Sequence, residues 1–123
     1  MKLNETDIRP DELIEEQKRR FNIDISNIKK RLKEFCSVNC PACDSNDYIF
    51  KFKKFGFTYV ECKNCNTMYM NPRPSPEIIN WYYSNSENYK FWNTHIFPAS
   101  EKNRVNLIIK PRIKKIIEIS KKF

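Results

Sequence analysis

The sequence predicts a small α+β fold, and three observations support this. The middle of the chain, 48–70, has the alternation and the glycine turn of short antiparallel strands. Both ends carry apolar residues at helical spacing. Two Cys-x-x-Cys pairs bracket the alternating stretch. With 123 residues, we expect a three-stranded antiparallel sheet held between two cysteine knuckles and flanked by N-terminal and C-terminal helices.

The two cysteine pairs have the spacing of a metal site. Cys40-Pro-Ala-Cys43 and Cys62-Lys-Asn-Cys65 are separated by 18 residues, which fits the Cys-x2-Cys-x15–20-Cys-x2-Cys pattern of zinc sites. Each pair lies on a tight turn and can direct both sulfurs at one ion, and a hairpin brings the second turn back to the first. Four thiolates fill the shell of Zn²⁺, so we predict a structural zinc site. Iron in a rubredoxin-like site is the chemical alternative.

Two further residues with metal-binding or catalytic chemistry lie outside this pattern. Cys36 is either a spare ligand or, as we prefer, a small half-buried hydrophobe beside the sheet. His95 is the single histidine, with no acidic residue near it in the sequence, and gives little support for catalysis. We therefore assign no catalytic residue and no cofactor-binding residue to this chain.

The predicted zinc ribbon contains a hairpin and a third strand. Strict alternation over 48–53 predicts two opposite faces, with Tyr48, Phe50 and Phe52 on one and Ile49, Lys51 and Lys53 on the other. Gly56 supplies the turn, because glycine readily takes positive φ. Residues 67–70 form the third strand. Asp44 and Asn66 follow the second cysteine of each pair, where a left-handed backbone is often needed and Asp and Asn tolerate it.

Helical segments are predicted on both sides of the ribbon. We expect helices over 10–21 and about 25–35, the second capped by Asn22 or Asp24. Ser75 and Pro76 predict the start of a helix over 76–84. The apolar residues of that helix are expected to point inward: Ile78, Ile79, Tyr82 and Tyr83.

The last predicted helix covers about 100–122 and is capped by Ser100. Its apolar residues keep helical spacing across Pro111, which predicts a kink or a short break there with one continuous stripe. The chain thus divides into an N-terminal helical segment (1–36), the zinc ribbon (37–74), an aromatic helix and loop segment (75–99), and a basic amphipathic helix (100–123).

Charge and glycine content exclude some functions. The net charge is +8, and residues 100–123 carry eight basic and two acidic side chains, which favours an anionic partner for that segment. The single glycine, Gly56, excludes Gly-rich phosphate loops and dinucleotide fingerprints. We expect no membrane partner, because no apolar run approaches about 18 residues and no signal peptide is evident. Cysteines in a metal-type spacing favour the cytoplasm.

The motifs around the cysteines resemble a known family. Cys40-Pro-Ala-Cys43-Asp-Ser, Phe55-Gly-Phe-Thr-Tyr-Val-Glu-Cys62, Met68-Tyr-Met-Asn-Pro-Arg-Pro-Ser75 and Trp81-Tyr-Tyr-Ser together resemble the N-terminal zinc-ribbon region of class I S-adenosylmethionine-dependent methyltransferases. The resemblance covers about 36–97 well. It implies that the four cysteines bind the metal. It also implies that the basic helix leads into a Rossmann-like catalytic domain, which binds S-adenosylmethionine and which this chain lacks.

On this interpretation the chain is a structural module of a transferase. It does not catalyse by itself, and its partner is the methyltransferase catalytic domain, in cis or as a separate chain. The aromatic stretch 81–97 and the last helix dock on that domain and shape access for a methyl-acceptor substrate.

Two other functions are open from the sequence. A nucleic-acid-binding zinc ribbon is suggested by the net charge of +8 and the aromatic residues. We disfavour it, because most of the excess charge lies outside the metal module and 81–97 contains one lysine, Lys90, and no arginine. Electron transfer through iron is the third function.

Overall fold

The structure is a computed structural model that describes residues 2–122. The chain divides into two compact units. One consists of Ile23–Asn85 and contains both cysteine pairs. The other combines the described residues up to Asn22 with those from Ser86 onward.

The α+β class and the three-stranded antiparallel sheet are confirmed. The sheet has the order β1-β2-β3, with β1 at Tyr48–Lys54, β2 at Phe57–Cys62 and β3 at Met68–Met70. The α-helices are α1 (Asp11–Lys29), α2 (Pro76–Asn85), α3 (Glu87–Phe91), α4 (Phe97–Arg104) and α5 (Lys110–Ser120). Two π-helical turns, Trp92–Ile96 and Val105–Ile109, link the last three, and short 3₁₀ turns lie at Glu5–Asp7 and Leu32–Glu34.

The hairpin between β1 and β2 has a two-residue loop. Lys54 pairs with Phe57, which leaves Phe55 and Gly56 at the tip. Both have positive φ, 53° and 85°, as the hairpin turn that matches the twist of the strands requires. Gly56 therefore has the predicted role, and Phe55 adopts a conformation that side chains with a Cβ rarely take.

A β-bulge interrupts β1. Phe50 pairs with Val60 and Phe52 pairs with Tyr59. Two steps along β1 therefore correspond to a single step along β2, which leaves Lys51 as the extra residue. Neighbouring residues of β2 point to opposite faces, and Phe50 and Phe52 therefore do too. The strict alternation predicted for 48–53 is wrong beyond Phe50, because the extra residue, Lys51, reverses the faces. Phe52 accordingly stacks on Tyr59, with 5.0 Å between ring centroids.

The N-terminal helical segment forms one long helix where the sequence predicted two. Helix α1 continues from Asp11 to Lys29, because no proline or glycine interrupts it and 23–25 contribute buried or half-buried positions. Asp24 lies inside the helix and is 3% exposed, so it does not act as an N-cap. The predicted continuation to residue 35 is replaced by the 3₁₀ turn and an extended Phe35.

The start of α2 follows the prediction. Its first residue is Pro76, and the N–H of Ile78 donates to the hydroxyl of Ser75 over 3.3 Å. Ile78 is completely buried, whereas Ile79 and Tyr83 are 39% and 64% exposed. The inward prediction is wrong for these two residues, since this short helix buries one narrow stripe.

The last helical run covers 87–120 and begins earlier than predicted. The hydroxyl of Ser86 accepts a hydrogen bond from the N–H of Tyr89 over 3.0 Å and caps α3. Ser100 lies within α4, is 1% exposed, and donates to the carbonyl of Ile96 over 2.7 Å. Ser100 is therefore not a cap, because helical structure already precedes it.

Each π-helical turn ends shortly before a proline. The N–H of Phe97 donates to the carbonyl of Trp92, and the N–H of Lys110 donates to that of Val105. Pro98 and Pro111 follow directly. A proline lacks an N–H and collides with the carbonyl four residues earlier, and the wider turn accommodates both effects. The interruption predicted at Pro111 is such a turn, and Pro98 causes a second one.

The stripe on α5 remains exposed. Its isoleucines are 47–64% exposed: Ile113, Ile116, Ile117 and Ile119. Ile109, at the end of the preceding π-helical turn, is 45% exposed. Within residues 2–122, no helix has the length and apolar character needed to cross a membrane.

Candidate metal centre

Two turns with the same hydrogen-bonding pattern carry the cysteine pairs. In the first, Asp44 N–H donates to the Cys40 carbonyl over 2.9 Å. In the second, Asn66 N–H donates to the Cys62 carbonyl over the same distance. Asp44 and Asn66 both have φ of 60°, as predicted for the positions that follow each pair. This left-handed residue closes each turn and leaves both of its cysteine side chains on one side.

Each turn is also tied to the chain beyond it. The N–H of Cys40 donates to the carbonyl of Ser45, and the N–H of Cys62 donates to that of Thr67, both over 2.9 Å. Because Cys62 ends β2 and Thr67 precedes β3, the second turn is fixed by the sheet. The hairpin then places the two turns side by side.

The structure brings all four predicted sulfur atoms together. The Sγ atoms of Cys40, Cys43, Cys62 and Cys65 all lie within 4.8 Å of one another. Cys40 and Cys65 are separated by 3.5 Å, and Cys43 and Cys62 by 3.6 Å. A tetrahedron with Zn–S distances of about 2.3 Å has edges of about 3.8 Å. The spacing of the free thiols therefore fits a single four-coordinate ion.

The cluster has a buried side and an exposed side. Cys40 and Cys62 are 2% and 0% exposed and pack with Val60 and Tyr69, while Cys65 is exposed. Buried thiols are held in one geometry by packing, and those at the surface leave a route for an ion to enter. The hydroxyl of Tyr69 is buried without a hydrogen-bond partner among the described residues.

Hydrogen bonds favour the thiolate at the exposed side. The Thr67 hydroxyl, 3.1 Å from the Cys65 sulfur, acts with the Thr67 N–H and the Cys43 thiol to lower the pKa of Cys65 to about 6. The Asn64 side chain and the Ser45 backbone lower the pKa of Cys43. Thiolates are the form that binds metal.

The buried side behaves differently. The pKa of the Cys62 thiol is raised overall. The hydrogen bond from the Cys65 N–H has the largest single effect and favours a lower pKa, but burial and the neighbouring thiols of Cys43 and Cys40 together outweigh it. Burial also raises the pKa of Tyr69, helped by negative charge at Cys40. A bound cation would reverse this balance, because it would stabilise all four thiolates at once.

The donor set determines what the cluster can do. Four thiols can hold a soft or borderline metal ion, and zinc fits the set. Four protein ligands leave no open position for water or substrate, so the arrangement suits a structural ion. That these four cysteines are the ligands stays a prediction.

Cys36 lies apart from the cluster. It is exposed, and its backbone exchanges hydrogen bonds with Arg73 over 2.8 and 3.0 Å. The expectation of a half-buried hydrophobe is wrong, because this isolated bridge holds the backbone and leaves the side chain outside. Cys36 is also absent from the group of sulfurs that can share an ion.

His95 lies in the other unit, on the π-helical turn Trp92–Ile96. Its ring stacks on Phe91 with 4.6 Å between centroids, and Nδ1 lies 2.7 Å from the Thr94 hydroxyl. These contacts give the ring a packing role.

Asn71 supports the first cysteine turn, a role that was not predicted from the sequence. Asn71 is 5% exposed, and its side-chain oxygen accepts from the N–H of Val38 over 3.0 Å. Its own N–H donates to the carbonyl of Thr58 over 3.1 Å. Asn71 thus connects the segment that enters the first knuckle to the sheet. Asn71 lies between β3 and a segment with three prolines, and no local pattern there indicates a contact with Val38.

Comparison of the chain with protein-family models, with curated proteins and with solved structures finds no match. The functional interpretation therefore depends on the geometry of the cysteine cluster and on the motifs of the chain itself.

Proposed function

We propose that the chain is a zinc-ribbon module in which Cys40, Cys43, Cys62 and Cys65 bind one structural Zn²⁺. The mutual spacing of the four sulfurs, within 4.8 Å, carries this proposal. Zinc supplies a cross-link between two turns that are distant in sequence. It stabilises a unit whose cluster of buried residues around the site is small: Cys40, Val60, Cys62 and Tyr69. Binding of the ion and folding of this unit are expected to be coupled.

We further propose that the module serves a class I S-adenosylmethionine-dependent methyltransferase and is not catalytic by itself. The resemblance of the motifs at 36–97 supports this, as does the single glycine, which leaves no Gly-rich cofactor loop in the chain. The free thiols suit a reducing compartment, so we place the module in the cytoplasm.

The proposed partner is the methyltransferase catalytic domain, in the same polypeptide or in a separate one. Exposed apolar side chains support docking: Tyr83 is 64% exposed, Tyr89 41% and Ile116 64%. Burying such groups is favourable, at about 25 cal/mol per Å². Docking of this kind would let the module shape access of a methyl acceptor to the partner domain.

Two measurements test these proposals separately. Metal analysis of the purified chain should give one zinc per chain, and iron in its place would contradict the zinc assignment. Calorimetry should detect no S-adenosylmethionine binding by the zinc-loaded chain, because the cofactor belongs to the partner domain. Stoichiometric binding would contradict the second proposal and leave the first intact. A third test applies to a catalytic domain in the same polypeptide: the coding DNA that follows this frame should then encode a Gly-rich cofactor-binding segment.

One observation favours nucleic-acid binding as a second candidate function. Strand β1 exposes aromatic rings beside lysines on an outer strand, with Tyr48 44% and Phe50 61% exposed. Such rings can stack on bases while lysines contact phosphates. A salt titration with generic single-stranded DNA and RNA tests this, since binding should weaken steeply with salt. Weak binding that does not change with salt would exclude it.

A further inference from the structure

A second candidate site lies in the unit that lacks the cysteines. It is a cavity of about 370 Å³ lined by Arg9, Arg104 and Arg112 and by apolar residues that include Trp92, Phe97 and Ile108. All of these residues belong to the same compact unit. The volume lies within the range of about 300–1,000 Å³ typical of small-molecule sites.

Aromatic rings orient two of the arginines. The guanidinium carbon of Arg104 lies 4.4 Å from the ring centroid of Phe97, and that of Arg9 lies 5.5 Å from that of Trp92. A guanidinium stacked on a ring keeps its in-plane N–H donors free for hydrogen bonding. The rings therefore restrict the orientations that the guanidinium groups of Arg9 and Arg104 can adopt.

The cavity carries an excess of positive charge. Across residues 2–122, no carboxylate forms an ion pair with Arg104 or Arg112. Arg9 pairs with Glu5 over 2.9 Å, and both side chains are well exposed. Three cations thus face one competing anion, which favours an anionic ligand.

Two local features hold the arginines around the cavity. The side-chain amide of Asn103 donates to the carbonyl of Asp7 over 3.0 Å, which fastens the segment before Arg9 to α4. The π-helical turn Val105–Ile109 lies between Arg104 and Arg112. Residues eight apart lie about 80° apart around a regular α-helix, and the wider turn reduces this angle. Both side chains consequently line one cavity.

We propose that this cavity binds a small phosphorylated ligand that carries an aromatic ring, which is the chemistry of a nucleotide. Arginine forks bind phosphate oxygens in a bidentate manner, and the aromatic and aliphatic residues of the lining pack against the ring. In this cavity the arginine side chains bind the phosphate, a role that backbone N–H groups have in glycine-rich phosphate loops. S-adenosylmethionine lacks a phosphate and carries a sulfonium cation, so the same cavity disfavours it.

The test measures binding to the zinc-loaded chain with the Trp81→Phe substitution. This substitution leaves Trp92 as the single tryptophan of the chain, and its fluorescence reports occupancy of the cavity. ATP should change the signal and bind at least tenfold more tightly than adenosine, which lacks phosphate, or tripolyphosphate, which lacks the ring. Equal binding of ATP and tripolyphosphate would overturn the assignment of a ring-bearing ligand.

Charge-neutral variants locate the site. Arg104→Gln and Arg112→Gln should each weaken ATP binding about tenfold or more, because each removes hydrogen bonds to a charged group. Lys102→Gln removes the same charge from an exposed position of α4 outside the cavity and should change binding less than twofold. Equal effects of all three variants would mean diffuse attraction to a basic surface and would overturn the proposal, as would absence of ATP binding at millimolar concentration.

Discussion

The sulfur atoms of Cys43 and Cys62 lie 3.6 Å apart although 19 positions separate them in the chain. The hairpin loop at Phe55 and Gly56 and the two left-handed residues, Asp44 and Asn66, bring them together. The candidate metal site thus depends on backbone conformation at a few positions. Changes to ligands and changes to the hairpin loop should have separable effects.

Removal of one ligand should unfold the unit Ile23–Asn85. Cys62→Ser leaves three thiolates and replaces a fully buried sulfur with a hydroxyl, which is a poor zinc ligand. We therefore expect zinc affinity to fall by orders of magnitude. Because binding of a structural zinc ion contributes about 10–16 kcal/mol, this loss should unfold the unit. Amide exchange in β2 measures the loss of structure. Cys36→Ser is the matched control and should leave exchange and zinc content unchanged. Equal effects of both variants would contradict the assignment of ligands.

Phe55→Asn should stabilise the hairpin. Phe55 has φ of 53°, which costs a residue with a Cβ roughly 1–2 kcal/mol, whereas Asn-Gly is a favoured pair in this turn. We expect a gain of about 0.5–1 kcal/mol in the free energy of unfolding, measured with urea on the zinc-loaded chain. Phe55→Ala is the control and should give a much smaller gain, because alanine retains the backbone strain. A loss of stability with asparagine would show that the Phe55 ring contributes more than the strain costs.

Ser86→Ala should destabilise the helical run 87–120, and Ser100→Ala should not. Ser86 caps α3 through the N–H of Tyr89, and loss of such a cap costs about 1 kcal/mol. Ser100 donates within an existing helix, where alanine has the higher helix propensity. Thermal unfolding followed by circular dichroism compares the two. The opposite ranking would favour the helix start at Ser100 that the sequence suggested.

Glu16 should contribute stability that is lost in acid. Hydrogen bonds from Arg19 and then Arg20 lower the pKa of Glu16 from 4.5 to about 2. The unfolded chain therefore takes up a proton at higher pH than the folded chain. The contribution is complete above about pH 4.5 and disappears as the pH falls toward 2.

A comparison of wild type with Glu16→Gln tests this sign. The difference in stability of α1, measured by amide exchange, should be largest near neutral pH and shrink below pH 4.5. Because acid also releases zinc from thiolates, the relevant quantity is the difference between the two proteins at each pH. A difference that grows in acid would contradict the proposed role of Arg19 and Arg20.

The sequence predicted local features better than those set by packing. Cysteine spacing and the residues at Asp44 and Asn66 determine the knuckles, because each turn closes within a few residues. The bulge at Lys51 could not be predicted, since it depends on how β1 pairs with β2 and leaves no mark in the alternation of apolar residues.

The helices illustrate the same division. Ser75 and Pro76 mark the start of α2 with local chemistry, and the prediction is confirmed. The stretch 22–25 contains no helix-breaking residue, and burial of Asp24 within α1 was invisible in the sequence. The sequence predicted no helix interruption at Pro98, because the π-helical turn there depends on helical structure that begins at Glu87, well before the proline.

Native mass spectrometry of the chain purified without added metal tests the central claim most directly. The proposal predicts one zinc ion per chain, which disappears in Cys40→Ser, Cys43→Ser, Cys62→Ser and Cys65→Ser and persists in Cys36→Ser. A metal-free wild-type chain whose Ile23–Asn85 unit is nevertheless folded would contradict it.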